Sequence, residues 1–157
     1  MPTITPFLWF DGRAEEAAEF YATVFDDARV EVMSRYGEGA PYPAGTAMSV
    51  NFELAGERFH ALNAGPQFTF NEAVSFFISC DGQEEVDYYW NALTADGGSE
   101  SHCGWLKDRF GLSWQVVPKR LSELLGDSDA GRSQRAMQAM LKMSRIDIAA
   151  LEAAADG

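Results

Sequence analysis

The sequence predicts an α+β fold built from two copies of one strand, helix, three-strand unit, followed by a helical tail. Three observations lead there. Two apolar runs rich in aromatic and branched residues stop at the same punctuation, Asp11-Gly12 and Asp81-Gly82. After each of these, apolar residues recur at helical spacing. After each helix come three strand-like segments divided by turn residues. A unit repeated in this way invites pseudo-twofold packing, and a cleft between or inside paired sheets follows from it.

The elements follow in order. Ile4 to Phe10 reads as the first strand, with Pro6 tolerable near a strand start. Ala14, Ala17, Ala18, Tyr21, Val24 and Phe25 mark a helix face, opposite Glu15, Glu16 and Glu19, with Asp11 as its expected cap. Arg29 to Tyr36 alternates as a strand, and the glycines and prolines of residues 37–45 make a loop. Ala47 to Leu54 and Arg58 to Leu62 form a hairpin about Ala55-Gly56-Glu57, and residues 63–72 read as a connector. The second unit opens with a strand over Val74 to Cys80 and a helix whose Val86, Tyr89, Trp90 and Leu93 share one face. Strands near Ser99 to Cys103, Trp105 to Arg109 and Ser113 to Val117 complete it. Beyond Pro118 a short helical piece carries Leu121, Leu124 and Leu125, and Asp129 and Asp147 are placed to cap two further helices. These helices cover a sheet or a partner subunit. Met137, Met140 and Met143 read as gap-filling core.

At 157 residues the chain fits one domain, 1–157, with modules at about 4–63 and 73–117 and a tail over 118–157. Twelve basic against 24 acidic residues give a net charge of −12, which repels nucleic acid and anionic membrane surfaces alike. The two cysteines, Cys80 and Cys103, stand far apart and outside any paired ligand spacing, so neither a disulfide framework nor a zinc site is expected. The first residues carry no signal-like run, and no stretch of about 18 apolar residues occurs. A cytoplasmic protein is the expectation.

Chemistry concentrates in residues 101–118, where His102, Cys103, Trp105, Trp114 and Gln115 lie around Phe110-Gly111. The stretch reads as a hairpin with both tryptophans facing one side of a sheet, either as the wall of a small-molecule pocket or as core. His102 and Cys103 adjoin, but neighbours on a strand point to opposite faces, which works against a nucleophile and base pair. Cys80 reads as a buried thiol. Asp108 with its basic neighbours is a charged turn, or Arg109 holds an anionic group.

With these residues in hand, the chain resembles the PhnB-like branch of the vicinal oxygen chelate superfamily, which includes glyoxalase I, extradiol dioxygenases and bleomycin-resistance proteins. The resemblance is carried by Thr5-Pro6-Phe7-Leu8-Trp9-Phe10-Asp11-Gly12 with Phe20-Tyr21, by Phe70-Asn71-Glu72-Ala73, by Asp87-Tyr88-Tyr89-Trp90, and above all by residues 103–111 with Trp114-Gln115. Residues 134–148 look like the tail common in that branch. The resemblance implies a glyoxalase-like fold of paired βαβββ modules, usually a homodimer. In metal-dependent relatives four His, Gln or Glu ligands sit on the first and last strand of each module. Those places fall here near Pro6, Ala61, Ser75 and Gln115, a set that cannot grip a divalent ion, so no metal and no cofactor are expected. A one-residue register shift would bring in His60 or Glu72.

The cleft-lining strands of the superfamily nominate Trp9, His60, Asn63, Ser75, Trp105, Trp114 and Gln115 as ligand-binding residues. The function expected is binding of a small apolar or aromatic molecule in a dimer-associated cleft. The alternative is a superfamily enzyme of lyase, isomerase or dioxygenase type. Relatives have carried a demethylubiquinone methyltransferase label, but no glycine-rich turn followed by an acidic ribose contact is present to hold S-adenosylmethionine.

Overall fold

A computed structural model describes every residue from Met1 to Gly157. The chain divides into two compact units, Met1–Phe70 and Asn71–Gly157. No helix is long and apolar enough to cross a membrane.

The first unit runs β1 (Phe7–Phe10), α1 (Ala14–Val24), β2 (Arg29–Arg35), β3 (Ala47–Leu54) and β4 (Glu57–Asn63). Its sheet has the order β1-β4-β3-β2, with β1 parallel to β4 and the other pairs antiparallel. The first strand is shorter than its apolar run suggests, because Pro6 has no N–H for the ladder and contributes only its carbonyl, to His60 N–H at 2.9 Å. Ala14, Ala17 and Ala18 are small enough to bring α1 close to the sheet, and Tyr21 and Val24 extend the buried stripe. Beneath it lie Leu8, Phe10, Val50, Phe52, Phe59 and Ala61, with the Phe52 and Phe59 rings stacked at 5.1 Å. Every second residue of a strand therefore faces α1, and the alternate residues face away from it.

The start of α1 corrects one expectation. Asp11 does not cap it; its carboxylate accepts from the Tyr42 hydroxyl at 2.7 Å. The orphan N–H of Ala14 is instead taken by Asn63 Oδ1 at 3.0 Å, while Asn63 Nδ2 donates to the Ala47 carbonyl at 2.9 Å. One buried amide from the end of β4 thus ties helix, strand and neighbouring strand together.

The second unit repeats the order: β5 (Ser75–Cys80), α2 (Gln83–Thr94), β6 (Ser99–Glu100), β7 (Trp105–Lys107) and β8 (Ser113–Pro118). Its sheet runs β5-β8-β7-β6, again with one parallel pair, β5 with β8. Val86, Trp90 and Leu93 bury the inner face of α2, and the Trp90 indole donates to Glu100 Oε1 at 2.6 Å. Glu85 reaches back to accept the Asp81 N–H at 2.8 Å.

The hairpin strands here are short. The strand expected over Ser99 to Cys103 stops at Glu100, because Cys103 and Gly104 both take left-handed backbone, at φ of 59° and 85°. A Cβ on Gly104 would stand 2.9 Å from the Val116 carbonyl oxygen, so this turn requires glycine. Between β7 and β8 the turn is organised by Asp108, which is buried. Its carboxylate accepts from the N–H groups of Phe110 at 2.8 Å and Leu112 at 3.1 Å, and from the Trp114 indole at 2.8 Å.

The tail comprises α3 (Lys119–Leu125), α4 (Ala130–Met140) and α5 (Ile148–Asp156). Asp129 and Asp147 cap α4 and α5 as their positions suggest, accepting from Gly131 and Arg132, and from Ala150. The tail packs within its own unit: Val117, Leu121, Leu124, Ala136, Ile146 and Leu151 form one buried cluster. Gln83 of α2 fastens it, donating to the Ile146 carbonyl at 3.0 Å and accepting the Ile148 N–H at 2.8 Å. The methionine stripe splits: Met140 and Met143 pack on the cluster, whereas Met137 is exposed.

Candidate ligand-binding site

The register decides which of the nominated residues share a surface. In the first sheet Phe7 lies opposite His60, and Trp9 opposite Leu62, all on the face turned away from α1. The Trp9 indole donates to the Gly65 carbonyl at 2.9 Å and meets the edge of Phe68 at 4.9 Å between centroids. His60 Nδ1 stands 2.5 Å from Asn51 Oδ1. An amide oxygen can only accept, so the ring donates from Nδ1 and its Nε2 is left as acceptor in the neutral form. Asn51 and His60 open into a recess of about 240 Å³ that also takes in Arg29, Glu31, Glu53 and Arg58. Glu53 pairs there with Arg29 at 3.1 Å and with Arg58 at 3.3 Å.

In the second sheet Trp105, Gln115 and Phe77 lie side by side across three strands, on the face turned away from α2. Gln115 Nε2 donates to Ser75 Oγ at 2.9 Å. The neighbouring row is Ser99, Lys107, Ser113 and Ser75, one from each of the four strands. Lys107 pairs with Glu72, and a recess of about 210 Å³ is lined by Glu72, Trp105, Lys107 and Ser113 together with Ser99 and Ser101.

Five of the seven nominated residues therefore face away from the helices: Trp9 and His60 in one unit, and Ser75, Trp105 and Gln115 in the other. Two do not. Asn63 is 1% exposed with its amide committed to α1 and β3, and Trp114, 3% exposed, packs on the helix side against Phe76. The expectation that Trp105 and Trp114 share a face fails on parity: Trp105 opposes Gln115 while Trp114 opposes Leu106, so the two indoles project to opposite sides. Asn51, Lys107 and Ser113 share these faces without being nominated by the sequence. Each is a polar residue at an alternate strand position, which the sequence does not distinguish from a solvated one without the pairing partners.

Cys80 is fully buried, and desolvation, the largest cause, pushes its thiol up to about 12. His102 and Cys103 sit in a turn rather than on a strand, so alternation does not govern them. Arg109 pairs with Asp96 at 3.4 Å.

The side chains present do not match the groups that the fold implies. At the four places where metal-dependent relatives carry ligands, Pro6 has no side-chain donor, Ala61 is fully buried on the helix side, and Ser75 and Gln115 bond to one another. Nowhere do three His, Cys, Asp or Glu side chains gather closely enough to hold an ion. These residues do not fit a divalent cation. Nor do the strand-to-helix turns fit a nucleoside cofactor: each carries a single glycine, and each sheet has only one parallel pair.

Two βαβββ modules of matching topology, each presenting one sheet face away from its helix, are the paired-module arrangement that the sequence resemblance implies. The chain's family follows from comparison with known proteins. Residues 2–117 match the profile described as 3-demethylubiquinone-9 3-methyltransferase, and the chain belongs to that PhnB-like family. A PhnB protein from Bacillus cereus is 34% identical, with a TM-score of 0.68, over 74% of this chain and 99% of that one. A protein from Pseudomonas aeruginosa is 25% identical, with a TM-score of 0.60, over 75% and 98%. One from Staphylococcus aureus shares 15% identity and a TM-score of 0.52 over 74% and 94%, a likeness of fold alone. None of the curated proteins matches the chain. The family match ends at residue 117, so the helical tail lies outside it.

Proposed function

We propose that this PhnB-like chain binds a small aromatic molecule on the sheet faces turned away from its helices, without a metal, in a cleft to which a second copy contributes. The observation that carries the reading is Trp105 beside the hydrogen-bonded Gln115 and Ser75. This is a flat apolar wall next to a paired donor and acceptor, the combination that small-molecule pockets use for affinity and orientation. Phe7 and Phe77, 60% and 57% exposed on the edge strands β1 and β5, support the second copy, since edge strands with bare aromatic rings favour association. Methyl transfer is not part of the reading, because neither strand-to-helix turn cradles a nucleoside.

His60 supports a second reading, a superfamily enzyme of lyase, isomerase or dioxygenase type. Its ring is oriented by Asn51 so that Nε2 is available to take a proton. Equilibrium dialysis against a panel of neutral aromatic compounds, with product analysis of the same mixtures and metal analysis of the protein, separates the two. Saturable binding with every compound recovered unchanged and no stoichiometric metal is expected. Turnover that is lost in His60→Ala would replace the first reading with the second.

A further inference from the structure

The row Ser99, Lys107, Ser113 and Ser75 contains three hydroxyls and one ammonium, brought together by the pairing of four strands. Within it, Ser113 is 1% exposed and its Oγ has no hydrogen-bond partner. Buried polar atoms are nearly always satisfied, and one without a partner at the lining of a recess is a donor for a group that enters it. The neighbouring cation is already engaged. Lys107 pairs with Glu72, whose side chain is 63% exposed and which lies three residues before β5 begins. Trp105 flanks the same recess.

We infer that this recess is the acid-binding end of the ligand site: the carboxylate of a small aromatic acid takes the place of Glu72 on Lys107 and accepts from Ser113, with its ring against Trp105. The inference rests on the aromatic-binding reading above and narrows it to acids. Glu72 is the internal stand-in. It is a carboxylate held near the cation by a short length of chain, so it competes at high effective concentration and yields only to a ligand with further contacts of its own. Lys107 holds the Glu72 carboxyl below its ordinary range, mainly through their hydrogen bond. A carboxylate, unlike a larger anion, matches the group already seated there. Glu100 also lines the recess, with Oε1 engaged by the Trp90 indole at 2.6 Å, and at physiological salt charges more than about 8 Å away are largely screened, so the overall charge of −12 does not forbid an acid here.

The test uses benzoate and its neutral counterpart benzyl alcohol as probes, titrated calorimetrically into the full chain and into Glu72→Gln, Lys107→Met and Ser113→Ala. Circular dichroism confirms that each variant is folded. Glu72→Gln should bind benzoate about tenfold more tightly, and Lys107→Met about tenfold more weakly, as expected for gaining or losing one charge-assisted contact. Benzyl alcohol should change by less than about twofold in both, on the same scale. Ser113→Ala should weaken benzoate alone. Benzyl alcohol binding with benzoate indifferent to Glu72 and Lys107 would overturn the acid site while leaving the aromatic reading intact. Failure of both probes in every variant would overturn both. Displacement of benzoate by inorganic phosphate at equal concentration would overturn the preference for a carboxylate.

Discussion

The two modules share a topology but secure it with different chemistry. In the first, the helix start is held by Asn63, a neutral amide reaching from the last strand to Ala14 and Ala47. In the second, Glu85 closes the start of the helix itself, and the last strand is held instead by Asp108, a carboxylate accepting three hydrogen bonds in the turn before it. The central hairpin differs as well. β3 and β4 run eight and seven residues, whereas β6 and β7 run two and three. A shorter hairpin has fewer ladder bonds, and the second module offsets this with side-chain bonds, from Trp90 to Glu100 and from Trp114 to Asp108, and with the tail fastened by Gln83. The lesson is that the repeated unit fixes where the sheet faces point, while each copy carries its own polar anchors and its own row of surface chemistry.

Removing an anchor tests that contrast. The largest effect is expected for Trp90→Ala, which empties a fully buried site and strips Glu100 of its donor, at about 3–5 kcal/mol in urea unfolding. Next is Asp108→Ala, at about 3 kcal/mol, because buried donors lose a charged acceptor. Asn63→Ala should cost about 2 kcal/mol, being neutral and serving one donor and one acceptor. Equal losses at Asp108 and Asn63 would mean that the two modules are anchored alike.

The modules themselves are legible in the sequence because Asp-Gly punctuation and helical periodicity recur, and Asp129 and Asp147 are readable as caps for the same local reasons. Sheet faces are less so. Trp105 and Trp114 look alike until the turn between them sets the pairing, and a one-residue difference in parity sends one indole to the core. Asn63 reads equally well as a ligand contact or a structural amide, since only the distant Ala14 and Ala47 reveal which it is. The row of Ser99, Lys107, Ser113 and Ser75 is invisible in the chain because its members meet only across four strands.

The smallest effects lie on the surface. Glu15 on α1 accepts from Arg35 on β2, and that hydrogen bond, the largest cause, holds its carboxyl below the ordinary range. A depressed acid stabilises the fold above its unfolded pKa and loses that contribution as pH falls through the folded value. The unfolding midpoint of Arg35→Met should therefore fall less than that of the wild type as the solution is acidified from pH about 5 to about 3, the carboxylate range. Thiol labelling at neutral pH should modify Cys103, which is half-buried, and spare Cys80 until the protein unfolds.

The central claim is that the ligand surface is the sheet face turned away from the helix, and the four tryptophans report on it directly. Trp105 and Trp9 lie on those faces, and Trp90 and Trp114 on the helix sides. Titration of benzyl alcohol while following the four indole N–H resonances should move Trp105 and leave Trp90 and Trp114 in place. Shifts confined to Trp90 and Trp114, or no saturable shift in Trp105, would contradict the account.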